Sequence, residues 1–358
     1  MLENLRMSAA WEKEGFLDVR NHRLHIDGVD CSALAREHGT PLFVFSEKRI
    51  RHNIARITRA AELIDRPIKV CYAAKAMSTM GILKLILDIG IDIEVNSGGE
   101  LWKALKAGFT GDQIIFNGTS KEVWELEMAI SNQIYAIQAD SLYELSLINE
   151  TAERLGNRAN VSLRLVPEIE TRTHSGLQTA LLTSKFGMMP EEALKAFSEY
   201  TDSPNVDLCG IHLHIGSQNP DPSVYTEACE MLFDTLRKIH ETSGVRLKHI
   251  NVGGGFPVDY LPNDGAGLPR ERSDMLAADF EPAEAIATAW LAVQNAGRSS
   301  GDEHLLSEIT VLTEPGRSII ADAGVCLATV RNHKERPTSE TTDHRPLTTD
   351  NWLLTDAG

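Results

Sequence analysis

Short apolar runs alternate with longer segments of helical periodicity along most of the chain. The longer segments, such as 99–110 and 141–156, have apolar residues at three- and four-residue spacing and predict amphipathic helices. Strands that alternate with helices pair in parallel through helical crossovers. The runs that predict strands are 68–76, 91–97, 114–119, 135–140, 161–167, 208–217, 248–255 and 308–316.

Eight such units in this length predict a TIM (β/α)8 barrel, with an open doubly wound sheet as the alternative. The flanks do not follow the repeat. Residues 15–47 mix short β-like pieces with a turn, and the C-terminal end starts β-like before a polar stretch, 335–350, that predicts a mobile loop. We therefore predict a barrel over 48–312 and a β-rich second domain, formed by 15–47 and 313–358, that the barrel interrupts.

Polar residues and glycines stand at the carboxyl ends of nearly all the predicted strands. Catalytic residues of TIM barrels gather at that end, so these residues form the candidate site. In chain order they are Lys75, Glu94, Ser97, Asn117, Arg164, His212, His214, Ser217, Gly253, Gly254, Gly255, Glu314, Gly316 and Arg317.

Two of these strand ends suit a phosphate group. Barrel enzymes hold phosphate in the loops after strands 7 and 8, where this chain has three successive glycines and the sequence Pro-Gly-Arg. Glycines let backbone N–H groups approach an anion closely. A glycine run alone is more often a simple turn, and the position beside a second Gly-Arg loop favours the phosphate interpretation.

Lys75 follows an apolar strand and small residues surround it. A lysine in an apolar, cationic pocket becomes a nucleophilic amine, and opposite a phosphate site it would form a Schiff base with pyridoxal 5′-phosphate (PLP). A lysine that only reaches solvent is the alternative. Glu314 would keep the pyridine nitrogen protonated, which makes the ring an electron sink.

Two histidines on one strand complete the predicted site. His214 would stack on the cofactor ring, and Ser217 would donate to the phosphate. His212 and His214 share a face of their strand, which also suggests a metal pair. No third ligand at suitable spacing is evident, so we predict no metal, and His212 is also consistent with an ordinary core histidine.

Composition limits the class of protein. Acidic residues outnumber basic ones by 51 to 35, for a formal charge of −16, which disfavours nucleic acid or an anionic membrane as partner. The five cysteines include no C-x-x-C pair, which favours reduced thiols in a cytoplasmic protein. No signal-peptide block and no stretch near the ~20 apolar residues of a membrane span is found.

The motifs together resemble the fold type III PLP-dependent decarboxylases, in particular the branch that acts on diaminopimelate. They are "YAAKA" (72–76), "VNSGGEL" (95–101), "SKFG" (184–187), "HLHIGSQ" (212–218), "NVGGGF" (251–256), "EPGRSIIADAG" (314–324) and, at the entry into the barrel, "HGTPLFVFS" (38–46).

This resemblance, which covers about residues 15–358, implies a role for each site residue. Lys75 carries the cofactor, His214 stacks on its ring, and Glu314 faces the pyridine nitrogen. Ser217, the glycine run 253–255 and Gly316 hold the phosphate. Arg317 serves both the phosphate loop and the substrate carboxylate.

The resemblance implies decarboxylation of an amino acid, with meso-diaminopimelate giving L-lysine as the leading reaction, in a homodimer. Other basic or carboxylated amino acids are the alternative substrates. A racemase of similar fold would carry arginine at the pyridine nitrogen, and Glu314 argues against it. A non-catalytic PLP-binding barrel would lack the second domain that 15–47 implies, and an unrelated barrel enzyme such as an aldolase would use Lys75 differently.

The chain departs from the family pattern at three places. The sequence of 173–187 differs from the one usual in the family, which leaves the specificity loop undefined. Residues 334–350 are polar, whereas the family passes quickly to its next strand there. Family members also continue for roughly a further quarter of their length, with a Cys-Glu pair and a tyrosine that complete the partner's site. We therefore expect this 358-residue form to bind cofactor but to decarboxylate poorly or not at all.

Overall fold

The computed structural model describes residues 15–166, 185–258, 280–337 and 349–357. The strands are β1 Leu17–Arg20, β2 Arg23–Ile26, β3 Val29–Asp30, β4 Leu42–Phe45, β5 Ile68–Ala73, β6 Asp92–Val95, β7 Ile114–Phe116, β8 Ala136–Ala139, β9 Ala159–Arg164, β10 Val206–His212, β11 His249–Asn251, β12 Thr310–Thr313, β13 Gly324–Leu327, β14 Val330–Pro337 and β15 Thr349–Thr355. The α-helices are α1 Cys31–His38, α2 Glu47–Thr58, α3 Ala60–Leu63, α4 Met80–Ile89, α5 Gly98–Ala107, α6 Val123–Ser131, α7 Leu142–Leu155, α8 Pro190–Tyr200, α9 Ser223–Ser243, α10 Pro282–Ser300 and α11 Arg317–Ile320.

The eight strands β5 to β12 form a closed barrel in which each strand pairs in parallel with the next and β12 pairs with β5. Apolar β-branched and aromatic residues fill the strands, as expected where helices cover the outer face. The predicted TIM barrel is confirmed, and the open doubly wound sheet is wrong.

Local signals place the barrel helices. Ser141 Oγ accepts the backbone N–H of Glu144 at the start of α7, and Gly156 ends that helix with a left-handed φ of 63°. The last long barrel helix, α10, passes through Gly297 and ends at Ser300. A Cβ on Gly297 would lie 3.3 Å from Phe233, Leu306 and Glu303, so this glycine allows close packing within the helix.

Side chains of alternate strand residues fill the barrel in layers. Cys71, Ile115 and Leu312 form an apolar cluster at mid-height. The strand register aligns Gln138 with Ser162, Ser162 with Gly210, and Gly210 with His249. One step closer to the carboxyl ends the strands carry Glu94, Asn117, Arg164, His212, Asn251 and Glu314, all buried. The carboxyl ends of the barrel strands therefore carry a layer of buried polar side chains.

The flanks form a separate compact unit. Among the described residues, 50–166, 185–258 and 280–322 form the barrel unit, and 15–49, 323–337 and 349–357 form the other. In the second unit β1, β2 and β3 form an antiparallel meander, and β4 pairs with β13 from the far end of the chain. Its core contains Phe16, Ile26 and Cys31. The prediction that the two flanks supply β-sheet beside the barrel is confirmed.

The C-terminal part of this unit is an antiparallel hairpin of β14 and β15, in which Pro337 pairs with Thr349. The mobile loop predicted over 335–350 is therefore wrong at both ends, which are strand, and 338–348 lie outside the described residues. Trp352, Leu353 and Leu354 on β15 are exposed. None of the helices that the structure describes is long and apolar enough to cross a membrane.

Candidate active site

Lys75 lies in a short 3-10 turn, 74–76, directly after β5. Ala73 and Ala74 before it are buried, whereas the lysine side chain is 54% exposed and its Nζ lies 3.9 Å from Glu94 Oε2. The apolar, cationic pocket expected around Lys75 is therefore wrong, because a buried carboxylate is beside the amine. The turn still points the amine out of the carboxyl end of the barrel.

The carboxylates of Glu94 and Glu314 share one amide. Asn117 Nδ2 donates to Glu94 Oε1 at 2.8 Å and to Glu314 Oε2 at 2.9 Å. Asn96 Nδ2 also donates to Glu94 Oε1, at 2.6 Å. Burial raises the pKa of Glu94 to about 7, with Lys75 opposing the shift and Glu314 adding to it. At neutral pH, Glu94 can therefore hold or release a proton beside the Lys75 amine.

Glu314 follows β12 and is surrounded by donors. Asn251 Nδ2 donates to its Oε1 at 2.6 Å, and His212 Nε2 lies 3.4 Å from its Oε2. Burial alone would raise the pKa of Glu314, but His212, Lys75 and the Asn251 hydrogen bond outweigh burial and lower it to about 2. Glu314 is therefore a carboxylate over the whole physiological pH range.

The glycine run after β11 lies where only glycine fits. A Cβ on Gly253 would lie 2.6 Å from Leu213 O, one on Gly254 would lie 2.2 Å from Glu314 O, and one on Gly255 would lie 2.4 Å from Gly216 O. Gly253 and Gly255 also have left-handed φ values of 67° and 91°. Three neighbouring backbone segments thus pack directly against this loop.

The predicted phosphate residues lie around that loop. The Gly254 N–H points to His214 Nδ1 at 3.4 Å, and Arg317 Nε donates to Ser217 Oγ at 3.1 Å. Gly316 precedes α11 and approaches the strand that carries Lys75, since its Cβ would lie 3.0 Å from Ala73 Cβ. Burial chiefly lowers the pKa of His214 well below its usual value, so this ring is neutral.

A second cluster lies beside the site at the ends of β7, β8 and β9. The Arg164 guanidinium lies 4.5 Å from the Phe186 ring centroid, and its Nη1 lies 3.6 Å from Asp140 Oδ1. Lys121 is buried and donates to Gly118 O, Gln138 O and, at 3.0 Å, Glu144 Oε2. The same carboxylate oxygen accepts the Asp140 N–H at 2.8 Å. Lys121 and Glu144 thus anchor the strand end that faces Arg164.

Several functional contacts were not predicted. Asn251 holds both Gly253, whose N–H donates to Asn251 Oδ1 at 2.9 Å, and Glu314. Its position two residues before Gly253, on the same face of β11, was the available signal. The pair of Lys121 and Glu144 left no comparable signal, since the two residues come from different helix–strand units. Of the specificity loop, 173–187, residues 173–184 lie outside the described residues.

These groups have the chemistry that a PLP site requires. Lys75 supplies a primary amine, Glu314 a permanently charged carboxylate, and the loop 253–255 with Ser217 and Arg317 a set of phosphate donors. Glu94 Oε2 is buried without a hydrogen-bond partner among the described residues. Together the fold and site define a barrel of the PLP-binding class.

Comparison with known proteins identifies the family. Residues 48–321 match the pyridoxal-binding domain of the pyridoxal-dependent decarboxylase family. The chain belongs to this family, and its cofactor is PLP. It is 32% identical to the diaminopimelate decarboxylase of Methanocaldococcus jannaschii over 348 residues, which are 96% of this chain and 72% of that protein. It is 33% identical to the Bacillus subtilis enzyme of the same name, over 88% of this chain and 68% of the relative.

Comparison with solved structures supports the same family assignment. The M. jannaschii diaminopimelate decarboxylase in complex with L-lysine superposes with a TM-score of 0.79 at 32% identity, over 96% of this chain and 73% of that one. The Helicobacter pylori enzyme, also complexed with L-lysine, gives a TM-score of 0.72 at 29% identity, over 85% and 70% of the two chains. The predicted family resemblance is therefore confirmed.

Proposed function

We propose that this protein is a PLP-dependent carboxy-lyase that converts meso-diaminopimelate into L-lysine and carbon dioxide. The observation that carries the proposal is Glu314, a buried carboxylate that accepts hydrogen bonds from Asn117 and Asn251. The names of the relatives, at 32% and 33% identity over most of the chain, support the choice of substrate.

In this proposal each end of the cofactor has its own set of residues. Lys75 would hold the cofactor covalently through its Nζ amine, which lies 3.9 Å from Glu94 Oε2. The Gly255 N–H, with Ser217, Gly316 and Arg317, would bind the phosphate. The neutral His214 ring, whose Nδ1 faces the Gly254 N–H, packs on the flat face of the cofactor. Arg317 also attracts the substrate carboxylate.

The reaction type follows from the charge of Glu314. Bound PLP supplies an electron sink for the bonding pair that is left when carbon dioxide departs. A carboxylate that stays ionised keeps a proton on the pyridine nitrogen, and this deepens the sink. An arginine in its place would leave that nitrogen unprotonated, as expected of the racemase alternative. Glu94 is also part of the proposed cofactor site, because its carboxylate lies beside both Lys75 and Glu314.

The test is a panel of amino acids assayed for carbon dioxide release by the purified holoprotein. We expect release from meso-diaminopimelate at least tenfold above that from lysine, ornithine or arginine, together with L-lysine formation. Lys75→Ala should abolish release, whereas Lys84→Ala, an exposed lysine on α4, should not change it. Racemisation without release, or preferred release from another amino acid, would contradict the proposal.

We further propose a homodimer in the cytoplasm, with the barrel spanning 48–312 and the second domain formed by 15–47 and 313–358. All five cysteines are free thiols, which suits a reducing compartment. The dimer is the assembly that the resemblance to the decarboxylase family implies. Light scattering after gel filtration tests it, and a mass of one chain, 39.5 kDa, would contradict it.

A further inference from the structure

His212 has no assigned role in the site as described above, yet it is one of its most buried members. It ends β10 and is 1% exposed. Its Nε2 lies 3.4 Å from Glu314 Oε2. Among the described residues neither ring nitrogen makes a hydrogen bond of standard geometry, and the 3.4 Å approach to Glu314 is no exception. The approach to Glu314 is therefore the polar contact on which a function of this ring can be based.

We propose that His212 is a positioning residue, which donates its Nε2–H to Glu314 Oε2 and so leaves one acceptor site of that carboxylate open for the cofactor. This inference rests on the proposed function, because it gives Glu314 the pyridine nitrogen as its partner. His212 itself touches neither substrate nor cofactor in this assignment.

Counting acceptor sites shows why the donor matters. An ionised carboxylate offers about four lone-pair sites. Asn251 occupies one on Oε1, and Asn117 occupies one on Oε2. With His212 on the second site of Oε2, only Oε1 has an open site. Without His212 the carboxylate could rotate or accept a proton on Oε2, and the orientation of the open site would be lost.

The charges around His212 favour a neutral ring in the role of donor. Burial chiefly lowers the pKa of His212, and Arg164 and Lys75 lower it further, while Glu314 opposes them. The neighbouring histidines His214 and His249 also have pKa values lowered by burial. A neutral imidazole carries one N–H, so a proton on Nε2 leaves Nδ1 as an acceptor toward the barrel interior.

His249 provides a matched comparison within the same barrel. It is also 1% exposed, and it lies one layer lower, where its ring packs against Gly210 and 5.3 Å from the Tyr135 ring. Among the described residues, His249 does not lie within ion-pair distance of Glu314. Removal of either ring creates a similar defect in the core, so only an effect specific to His212 reports on Glu314.

The experiment uses holoenzyme loaded with PLP labelled with 15N in the ring. Three variants are compared with wild type: His212→Gln, which keeps an N–H donor near the Nε2 position, His212→Leu, which removes it, and His249→Leu as control. The 15N chemical shift reports whether the ring nitrogen is protonated, independently of turnover. The pH profile of kcat/KM is measured in parallel, and Glu314→Gln defines the shift of an uncharged partner.

We expect the 15N shift of His212→Leu to move toward that of Glu314→Gln, with kcat/KM about tenfold lower. Its acid limb should move to higher pH, because loss of the donor raises the pKa of Glu314. His212→Gln should restore both properties, and His249→Leu should change only stability. A wild-type 15N shift in His212→Leu would overturn the inference, whereas an unchanged shift in Glu314→Gln would overturn the proposed function.

Discussion

Replacement of Asn251 tests how the glycine loop and Glu314 are held together. The side chain is fully buried and makes two hydrogen bonds, from Nδ2 to Glu314 Oε1 at 2.6 Å and from Gly253 N to Oδ1 at 2.9 Å. A bond to a charged group contributes about 1.5–3 kcal/mol and a neutral one about 0.5–1.5 kcal/mol. Asn251→Leu, of similar volume, should therefore destabilise the apoprotein by about 2–4.5 kcal/mol.

Asn251→Asp separates the two bonds. It keeps the acceptor for the Gly253 N–H but places a carboxylate against Glu314, so we expect an equal or larger loss and a raised pKa of Glu314. Asn132→Ala is the control, since its exposed amide donates only to a carbonyl of its own helix among the described contacts. Urea unfolding measures stability, and fluorescence titration measures PLP affinity, which should fall about tenfold or more in both Asn251 variants.

Both Asn251 variants lying within about 0.5 kcal/mol of wild type, as ordinary surface substitutions do, would refute this reasoning. The two bonds would then contribute no net stability beyond what the buried groups gain elsewhere. Unchanged PLP affinity with lowered stability would have a different meaning. Asn251 would then support the fold without transmitting its position to the glycine loop.

Three further predictions follow from the geometry. Gly254→Ala should weaken PLP binding and cost about 1–3 kcal/mol, since its Cβ meets a backbone oxygen at 2.2 Å. Gly99→Ala, whose Cβ would meet only Ser97 Oγ at an ordinary contact distance of 3.9 Å, should do neither; calorimetry and titration check both. Because burial raises the pKa of Glu94 from 4.5 to about 7, its contribution to stability is present below pH 4.5 and lost as pH rises through 7. Urea unfolding of the apoprotein between those pH values should show the decline, and Glu94→Gln should flatten it. Lys121→Met should cost about 3–5 kcal/mol by leaving buried Glu144 unpaired, and the double variant Lys121→Met/Glu144→Leu should recover stability in thermal unfolding; no recovery would contradict the pairing.

The sequence predicted the barrel because its signals are local. An apolar run, a helical period and a terminal glycine each act within one unit, and residues such as Ser141 and Gly156 cap α7 as their types suggest. Gly297, inside α10, is explained instead by packing against Phe233, 64 positions earlier in the chain. Distant packing of this kind leaves no local pattern.

The same distinction holds for the site. Strand ends could be enumerated from the sequence, so Lys75, His214 and Glu314 were all named as candidates. The predicted environment of Lys75 was wrong because Glu94 comes from the next strand. The distance of 3.9 Å between Lys75 Nζ and Glu94 Oε2 depends on strand register and on side-chain rotamers, which the sequence does not show. The bridge through Asn117 joins groups on β6 and β12 and likewise depends on closure of the barrel.

The measurement that tests the central claim most directly is peptide mapping of the holoprotein after reduction with borohydride. Reduction makes the link between PLP and its lysine permanent, so mass spectrometry identifies the residue. The account predicts one labelled peptide, containing Lys75, that is absent in Lys75→Ala and present in Lys84→Ala. Labelling of a different lysine in the wild-type protein, or label retained in Lys75→Ala at equal occupancy, would contradict it.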